Sequence, residues 1–190
     1  MLEIISIENT LESENSNNNL WKDLVIESYN KYRKYNDFSS EVQNRKDLKE
    51  FWDLIKSNEI HLVLRQNKFI GFFINTYHNK NKEISFKVFA HPLACPMSIR
   101  SITKAALFRS FIVLVENKDI VNLEFVTWHP SLASAIKVFI PDLKITMINS
   151  STIICSKEVT KKDLENFSTI LLKYLDSTQQ LKKNHYKILY

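Results

Sequence analysis

The sequence predicts an α/β (α+β) fold: one mixed sheet built from an antiparallel meander, a central parallel strand pair and a C-terminal hairpin, with a helix added at the C-terminal end. Three stretches predict it. Glu83 to Ala90 alternates Ile84, Phe86 and Val88 against Ser85, Lys87 and Phe89, and Asn122 to Trp128 reads as a second strand. The apolar segment Ser98 to Glu116 between them is a crossover helix, so the two strands should lie parallel and end at one edge, at His91-Pro92 and His129-Pro130. Ile60 to Arg65, Phe69 to Tyr77 and Ile84 to Ala90 are separated only by Gln66-Asn67-Lys68 and Asn79 to Lys82, connections short enough to make them antiparallel neighbours. Lys144 to Ile148 and Thr152 to Ser156 alternate around Asn149-Ser150-Ser151 as a hairpin does.

In chain order, Leu2 to Ile7 is a short strand with Leu2, Ile4 and Ile7 inward, and Asn15 to Asn19 is a polar loop. Leu20, Leu24 and Tyr32, flanked by Trp21, Val25 and Tyr29, give an amphipathic helix; Leu48, Phe51, Trp52 and Ile55 give another over Asp47 to Ile55. Tyr29, Tyr32 and Tyr35 fit core and rim positions better than a stacking platform for bases. In Ser98 to Glu116, Ile99, Ile102, Ala106 and Val113 share one face with Ala105, Phe108, Ile112 and Val115 beside it, so the helix should be buried on most sides. A further helix follows His129-Pro130 and reaches Phe139. Thr160-Lys-Lys-Asp163 is a capping-box variant opening the last helix, whose Leu164, Phe167, Leu171, Tyr174 and Leu175 form a stripe suited to covering one face of the sheet. Residues 1–158 form the expected domain, with 159–190 a helix and tail packing on it. The only glycine, Gly71, falls inside a strand, which leaves the turns to Asn, Ser, Lys and Asp.

Composition sets the outer bounds. A chain of 190 residues, 44% hydrophobic, suits one core burying roughly 70% of the unfolded surface. The 26 basic and 21 acidic residues are interspersed, so the net charge of +5 describes a solvated mixed surface and argues against a nucleic-acid partner, although an anionic ligand is compatible with it. Cys95 and Cys155 lack metal-ligand spacing and no charged-then-apolar leader opens the sequence; reduced thiols in a cytoplasmic setting are expected, with no disulfide and no metal. The longest apolar run, Phe111 to Val115, is far short of the ~20 residues that span a bilayer, so no membrane partner is expected.

Two features carry chemistry. The segment Ser98 to Ala105 opens a helix with Arg100 and Lys104 and no acid, the reverse of what a bare helix N-terminus prefers; a bound anion would resolve that conflict, and the bland alternative is two screened side chains. His91 and His129 close the two parallel strands and Glu124 lies within the second, so these three are the candidate proton carriers at the edge where the strands part, although histidines at strand ends commonly serve turns. No serine sits in a glycine elbow, which removes a Ser/His/Asp hydrolase from consideration.

The order of elements resembles the GNAT superfamily of N-acyltransferases over roughly Leu2 to Ser156. In that family a Gln/Arg-x-x-Gly-x-Gly/Ala loop binds the pyrophosphate of acyl-coenzyme A; here Arg100-Ser-Ile-Thr103-Lys-Ala105 is similar, with Thr103 in place of a glycine, where a left-handed backbone would cost roughly 1 to 2 kcal/mol. The family's Asn-x-x-Ala-Ile-x-Leu-Tyr resembles Leu132-Ala-Ser-Ala135-Ile136-Lys-Val138-Phe139, where Phe139 replaces the proton-donating tyrosine. The resemblance implies acetyl-CoA or another acyl-CoA as cofactor, held by Val88, Ala90, Ser98, Arg100, Ser101, Thr103, Lys104 and Ala105, and transfer of the acyl group to a small-molecule or protein amine, with Glu124, His129 and His91 as catalytic candidates. Loss of both the glycine and the tyrosine opens an alternative, an inactive GNAT-like binding or structural module with protein partners and a lost cofactor, for example a phage virion component.

Overall fold

The structure is a computed structural model that describes residues 2–7, 23–30, 49, 53, 58–91, 93, 97–127, 130–149, 152–174 and 185–188. Eight strands form one sheet: β1 (Leu2–Ile7), β2 (Glu59–Arg65), β3 (Lys68–His78), β4 (Glu83–Ala90), β5 (Asn122–Thr127), β6 (Lys144–Asn149), β7 (Thr152–Glu158) and β8 (His185–Ile188). Their spatial order is β6-β7-β5-β4-β3-β2-β1-β8. Among the described residues β4 and β5 run parallel and the other strand pairs are antiparallel, as the meander, crossover and hairpin predict. The helices are α1 (residues 23–30), α2 (Met97–Glu116), α3 (Pro130–Ile136) and α4 (Lys161–Tyr174). Residues 49 and 53 are helical, within the predicted second helix; the rest of that segment, the loop Asn15 to Asn19, Cys95, Trp128 and His129 lie outside the described residues.

The β2–β3 hairpin has a two-residue turn, since Arg65 pairs with Lys68. Both turn residues, Gln66 at φ 52° and Asn67 at φ 60°, are left-handed, the geometry that follows the right-handed twist of the strands. Sequence reasoning allotted left-handed turns to Asn, Ser, Lys and Asp, and Gln66 adds a residue type with no local hydrogen bond to offset the strain. Gln66→Gly should therefore stabilise the protein by about 0.5 to 1 kcal/mol, a rise of roughly 1 to 4 °C in thermal midpoint; a fall would show that the Gln66 side chain contributes more than its backbone costs.

Hydrophobic faces fix the layers. On one side of the sheet Val63, Phe73, Ile84, Phe86, Leu123 and Phe125 meet α2, whose Ile102, Ala105, Ala106, Phe108 and Phe111 are fully buried. A helix lying on a sheet buries one stripe; α2 buries more because α4 covers its outer side, with Phe167 stacked on Phe111 at 4.0 Å between ring centroids. The last helix thus covers α2 rather than the sheet itself. On the opposite face, Val25 and Tyr29 of α1 pack on Ile60, Leu62, Phe72, Ile74 and Phe89.

The capping box at α4 is formed: the Thr160 amide and hydroxyl donate to Asp163 Oδ2 at 2.8 and 2.6 Å, and the Asp163 amide donates back to Thr160 Oγ1 at 3.3 Å. Beyond α4, β8 pairs with β1 through Leu2↔Ile188 to Ile5↔His185, so the C-terminal segment follows helix packing on α2 with strand addition at the far edge. β8 is an addition to the helix and tail expected over 159–190. In β1, Ser6 is inward beside Leu2 and Ile4. The helix after β5 ends at Ile136, shorter than expected, and Phe139 falls in the following turn with its amide bonded to the Ile136 carbonyl at 2.9 Å.

Candidate functional site

The site is defined by where β4 and β5 stop pairing. Their ladder runs from Glu83↔Asn122 to Phe86↔Phe125 and ends there, while β4 continues to Ala90 and β5 to Thr127. β4 remains paired with β3 out to Gly71↔Ala90, so the fork opens on the β5 side alone. Val88 and Ala90 lie on the stretch beyond the ladder and pack partly buried against the main core. Parallel strands that part at their C-terminal ends leave a crevice with backbone groups along its walls, the usual ligand position in open α/β sheets.

Helix α2 begins at Met97, after the connection from β4. Its first turn holds Met97, Ser98, Ile99 and Arg100, at the end of the helix where backbone N–H groups lie outside the intrahelical ladder, and it contains no acidic residue. Arg100 is exposed and Ser98 and Ser101 are buried. Thr103, Lys104 and Ala105 lie inside the helix. Thr103 is buried, its hydroxyl donating to the Ile99 carbonyl at 2.8 Å, and it is not among the residues with positive φ, so the strain expected there is not incurred. Ala105 belongs to the core. The Lys104 ammonium sits over the rings of Tyr174 at 4.5 Å, Phe108 at 5.4 Å and Phe139 at 5.6 Å, and burial lowers its pKa. The predicted segment Ser98 to Ala105 therefore divides at the first turn, which begins at Met97: Ser98 and Arg100 lie within that turn, and Thr103, Lys104 and Ala105 lie inside the helix. Pro96 was the available signal, since proline favours the start of a helix.

The catalytic candidates do not converge. His91 follows the end of β4, whereas Glu124 is paired with Ser85, one step inside the fork; six residues of strand separate Ser85 from His91, about 20 Å. His129 lies outside the described residues. Glu124 is on the face away from α2, between Ser85 of β4 and Ser156 of β7. Burial raises its pKa and the Glu83 carboxylate adds to the effect, with His78 opposing. Glu124 also borders a cleft of about 650 Å³, lined by Glu83, Asn122, Lys144, Lys157 and Glu158 among others, at the end of the sheet away from the fork.

A polar cluster under α2 was not foreseen. His61 is fully buried in β2, with Nδ1 2.6 Å from Ser6 Oγ and its ring stacked on Phe73 at 4.5 Å. Its Nε2 is 3.4 Å from Glu59 Oε2, close enough for charge attraction but without the alignment of a hydrogen bond. Arg109 of α2 donates to Glu59 at 3.0 Å and Asn75 of β3 donates to Ser110 at 2.8 Å. Burial alone would raise the Glu59 pKa, but His61 and Arg109 outweigh it and bring the carboxyl down to about 2. Burial lowers the pKa of His61, against the pull of Glu59. Both shifts make the folded state bind fewer protons than the unfolded chain, so acid removes stability in two steps, the first below the ordinary histidine value of 6.5 and the second between 4.5 and about 2. Thermal midpoints recorded from pH 7 to pH 3 should show both, and His61→Gln should abolish the first; a profile unchanged by that substitution would assign the loss elsewhere.

No protein-family model matches the chain, and no curated protein matches it. Solved structures do match. PaiA N-acetyltransferase from Thermoplasma acidophilum, in complex with coenzyme A, superposes with a TM-score of 0.52 at 13% identity, over 84% of this chain and 99% of that one. The chain has the GNAT fold. A candidate phosphinothricin N-acetyltransferase superposes similarly, with a TM-score of 0.51 at 11% identity over 85% of this chain and 100% of that one. At such identities the likeness establishes the GNAT fold alone. Among the described residues, no helix is long and apolar enough to cross a membrane and no group of side chains is arranged to hold a metal ion.

Proposed function

We propose that this GNAT-fold chain is an acyl-coenzyme A-dependent N-acyltransferase. The observation that carries the reading is the β4–β5 fork joined through one connection to the acid-free first turn of α2. The residues fit the group: a pyrophosphate suits the partial positive charge at the acid-free start of α2, around Met97 to Arg100, with the Arg100 guanidinium adding a full charge, and the extended backbone around Val88 and Ala90 suits an amide-bearing linker lying along the fork. When bound, the acyl thioester supplies the activated carbonyl. The chain's own part is to hold that carbonyl at the fork and to take the proton from the attacking amine as the C–N bond forms and the C–S bond breaks. Glu124 is the carboxylate nearest the fork's base on the open face, and its raised pKa suits that role. Phe139, beside Phe108 and Tyr174, brings no hydroxyl of its own to protonate the departing thiolate, so water or another donor does so.

Neither the fold nor the structures it resembles point to a virion component. Titration with acetyl-CoA tests the reading: at ~100 times the dissociation constant, binding should add about 2.7 kcal/mol of stability, a midpoint rise of roughly 5 to 10 °C. Arg100→Ala should weaken that binding. No shift with any acyl-CoA at millimolar concentration would end the enzyme reading and leave a binding module.

A further inference from the structure

We propose that His91 is a positioning residue for acyl-coenzyme A, fixing the start of the connection between β4 and α2; the inference rests on the acyltransferase reading. His91 is buried, and its amide and both ring nitrogens are engaged. Its amide donates to the Ile70 carbonyl at 3.0 Å, and Ile70 is the extra residue of a bulge in β3, since Val63 pairs with Gly71 and Leu64 with Phe69. Its Nδ1 lies 3.3 Å from the Leu93 amide and its Nε2 3.1 Å from Glu27 Oε2 on α1. A backbone N–H can only donate, so Nδ1 is the acceptor, the ring proton is on Nε2, and that proton points to the Glu27 carboxylate. One neutral tautomer satisfies every contact. Phe69 meets the ring edge-on at 5.5 Å and holds its plane.

Two consequences follow from this geometry. With both nitrogens occupied, the ring offers no lone pair to a substrate amine, which separates His91 from the catalytic role expected of it. Because Pro92 has no N–H, Leu93 carries the first amide of the connection that can be held, and His91 holds it. Only five residues, Pro92 to Pro96, separate His91 from the first turn of α2 in sequence, so the point at which the chain leaves β4 bounds where the turn proposed to bind pyrophosphate can begin. Glu27 ties the same point to α1, on the opposite face of the sheet from α2.

The two side-chain bonds can be separated by substitution. The Oδ1 of His91→Asn can accept from Leu93, whereas the side chain is too short to reach Glu27; Glu27→Gln, at a half-exposed position, keeps an acceptor and removes the charge. Calorimetric titration with acetyl-CoA should show about tenfold weaker binding for His91→Ala, as expected when one well-placed hydrogen bond is lost. His91→Asn should recover to within about threefold of the native chain, and Glu27→Gln should lose about twofold, while kcat at saturating acetyl-CoA stays within about twofold throughout, because the ring transfers no proton. Should His91→Ala fail to fold, His91→Asn and Glu27→Gln carry the comparison. Unchanged affinity in every variant, or a loss of kcat at unchanged affinity, overturns the inference while leaving the acyltransferase reading intact. A native chain that binds no acetyl-CoA overturns both.

Discussion

Gly71→Ala should leave the protein barely folded, with a thermal midpoint lower by roughly 10 °C or more. Gly71 has φ 151°, a backbone region that residues with a side chain rarely enter, and it lies beside the bulge in β3 where the strand changes register against β2. A Cβ built there would collide with the Phe89 carbonyl of β4, come within 2.5 Å of Ile102 Cδ1 on α2 and within 3.0 Å of Ala90 Cα. Ile102 could adjust at modest cost. The backbone of Phe89 and Ala90 cannot, because Phe72↔Phe89 and Gly71↔Ala90 are the last rungs holding β4 to β3 at the fork. Strain of about 1 to 2 kcal/mol for the left-handed backbone and 1 to 3 kcal/mol for overpacking amounts to several kcal/mol, a large part of a typical total of 5 to 15. Pairing the change with Ile102→Val should recover only the helix-side part. Near-native stability in urea for Gly71→Ala would mean that the bulge can slide along β3, and the fork would then be far less fixed than the register implies.

That glycine marks the boundary of what could be read in the sequence. The strands were legible because alternation is a local signal: Ile84, Phe86 and Val88 against Ser85 and Lys87 implies a two-faced strand whatever surrounds it, and the parallel pairing of β4 with β5 followed from the length and apolarity of the segment between them. Gly71 was visible as an anomaly inside a strand, but the carbonyl it accommodates is eighteen positions away, at Phe89. The polar cluster was hidden for the same reason. His61 stands in an apolar run, and its polar environment is assembled from the cross-strand partner Ser6, from Glu59 on the same face of β2, and from Arg109 of α2, which reaches Glu59. The acid-free start of α2 was legible as Ser98 to Ala105, but motif likeness alone could not tell the residues of the first turn, Ser98 and Arg100, from Thr103, Lys104 and Ala105, whose amides fall inside the helical ladder. The role of His91 could not be read at all, because Glu27 is 64 positions away on another element.

Glu124→Gln should lower kcat by 10²- to 10⁴-fold, the usual contribution of a positioned proton acceptor, while acetyl-CoA binding is preserved. The exchange is nearly isosteric and falls on the open face one pair below the fork, so neither the α2 amides nor the core is disturbed. It also has a stability signature opposite to that of an ordinary structural residue. Burial and the neighbouring Glu83 make the charged form of Glu124 unfavourable in the folded chain, so its pKa is raised and the folded state binds its proton more readily than the unfolded chain does. Stability held by that proton is present at low pH and is lost as pH rises through the raised folded value. At neutral pH the carboxylate is therefore a burden on the fold, and the uncharged amide should leave the thermal midpoint unchanged or higher. Activity should rise with pH through the Glu124 titration, and Glu83→Gln, by removing one of the two causes of the shift, should move that rise to lower pH without abolishing turnover. Coenzyme A release measured across pH with a panel of amines, for the native chain and both variants, decides the matter. A Glu124→Gln chain that keeps native turnover would rule out Glu124 as the proton acceptor, and proton transfer would then have to pass to water or another group.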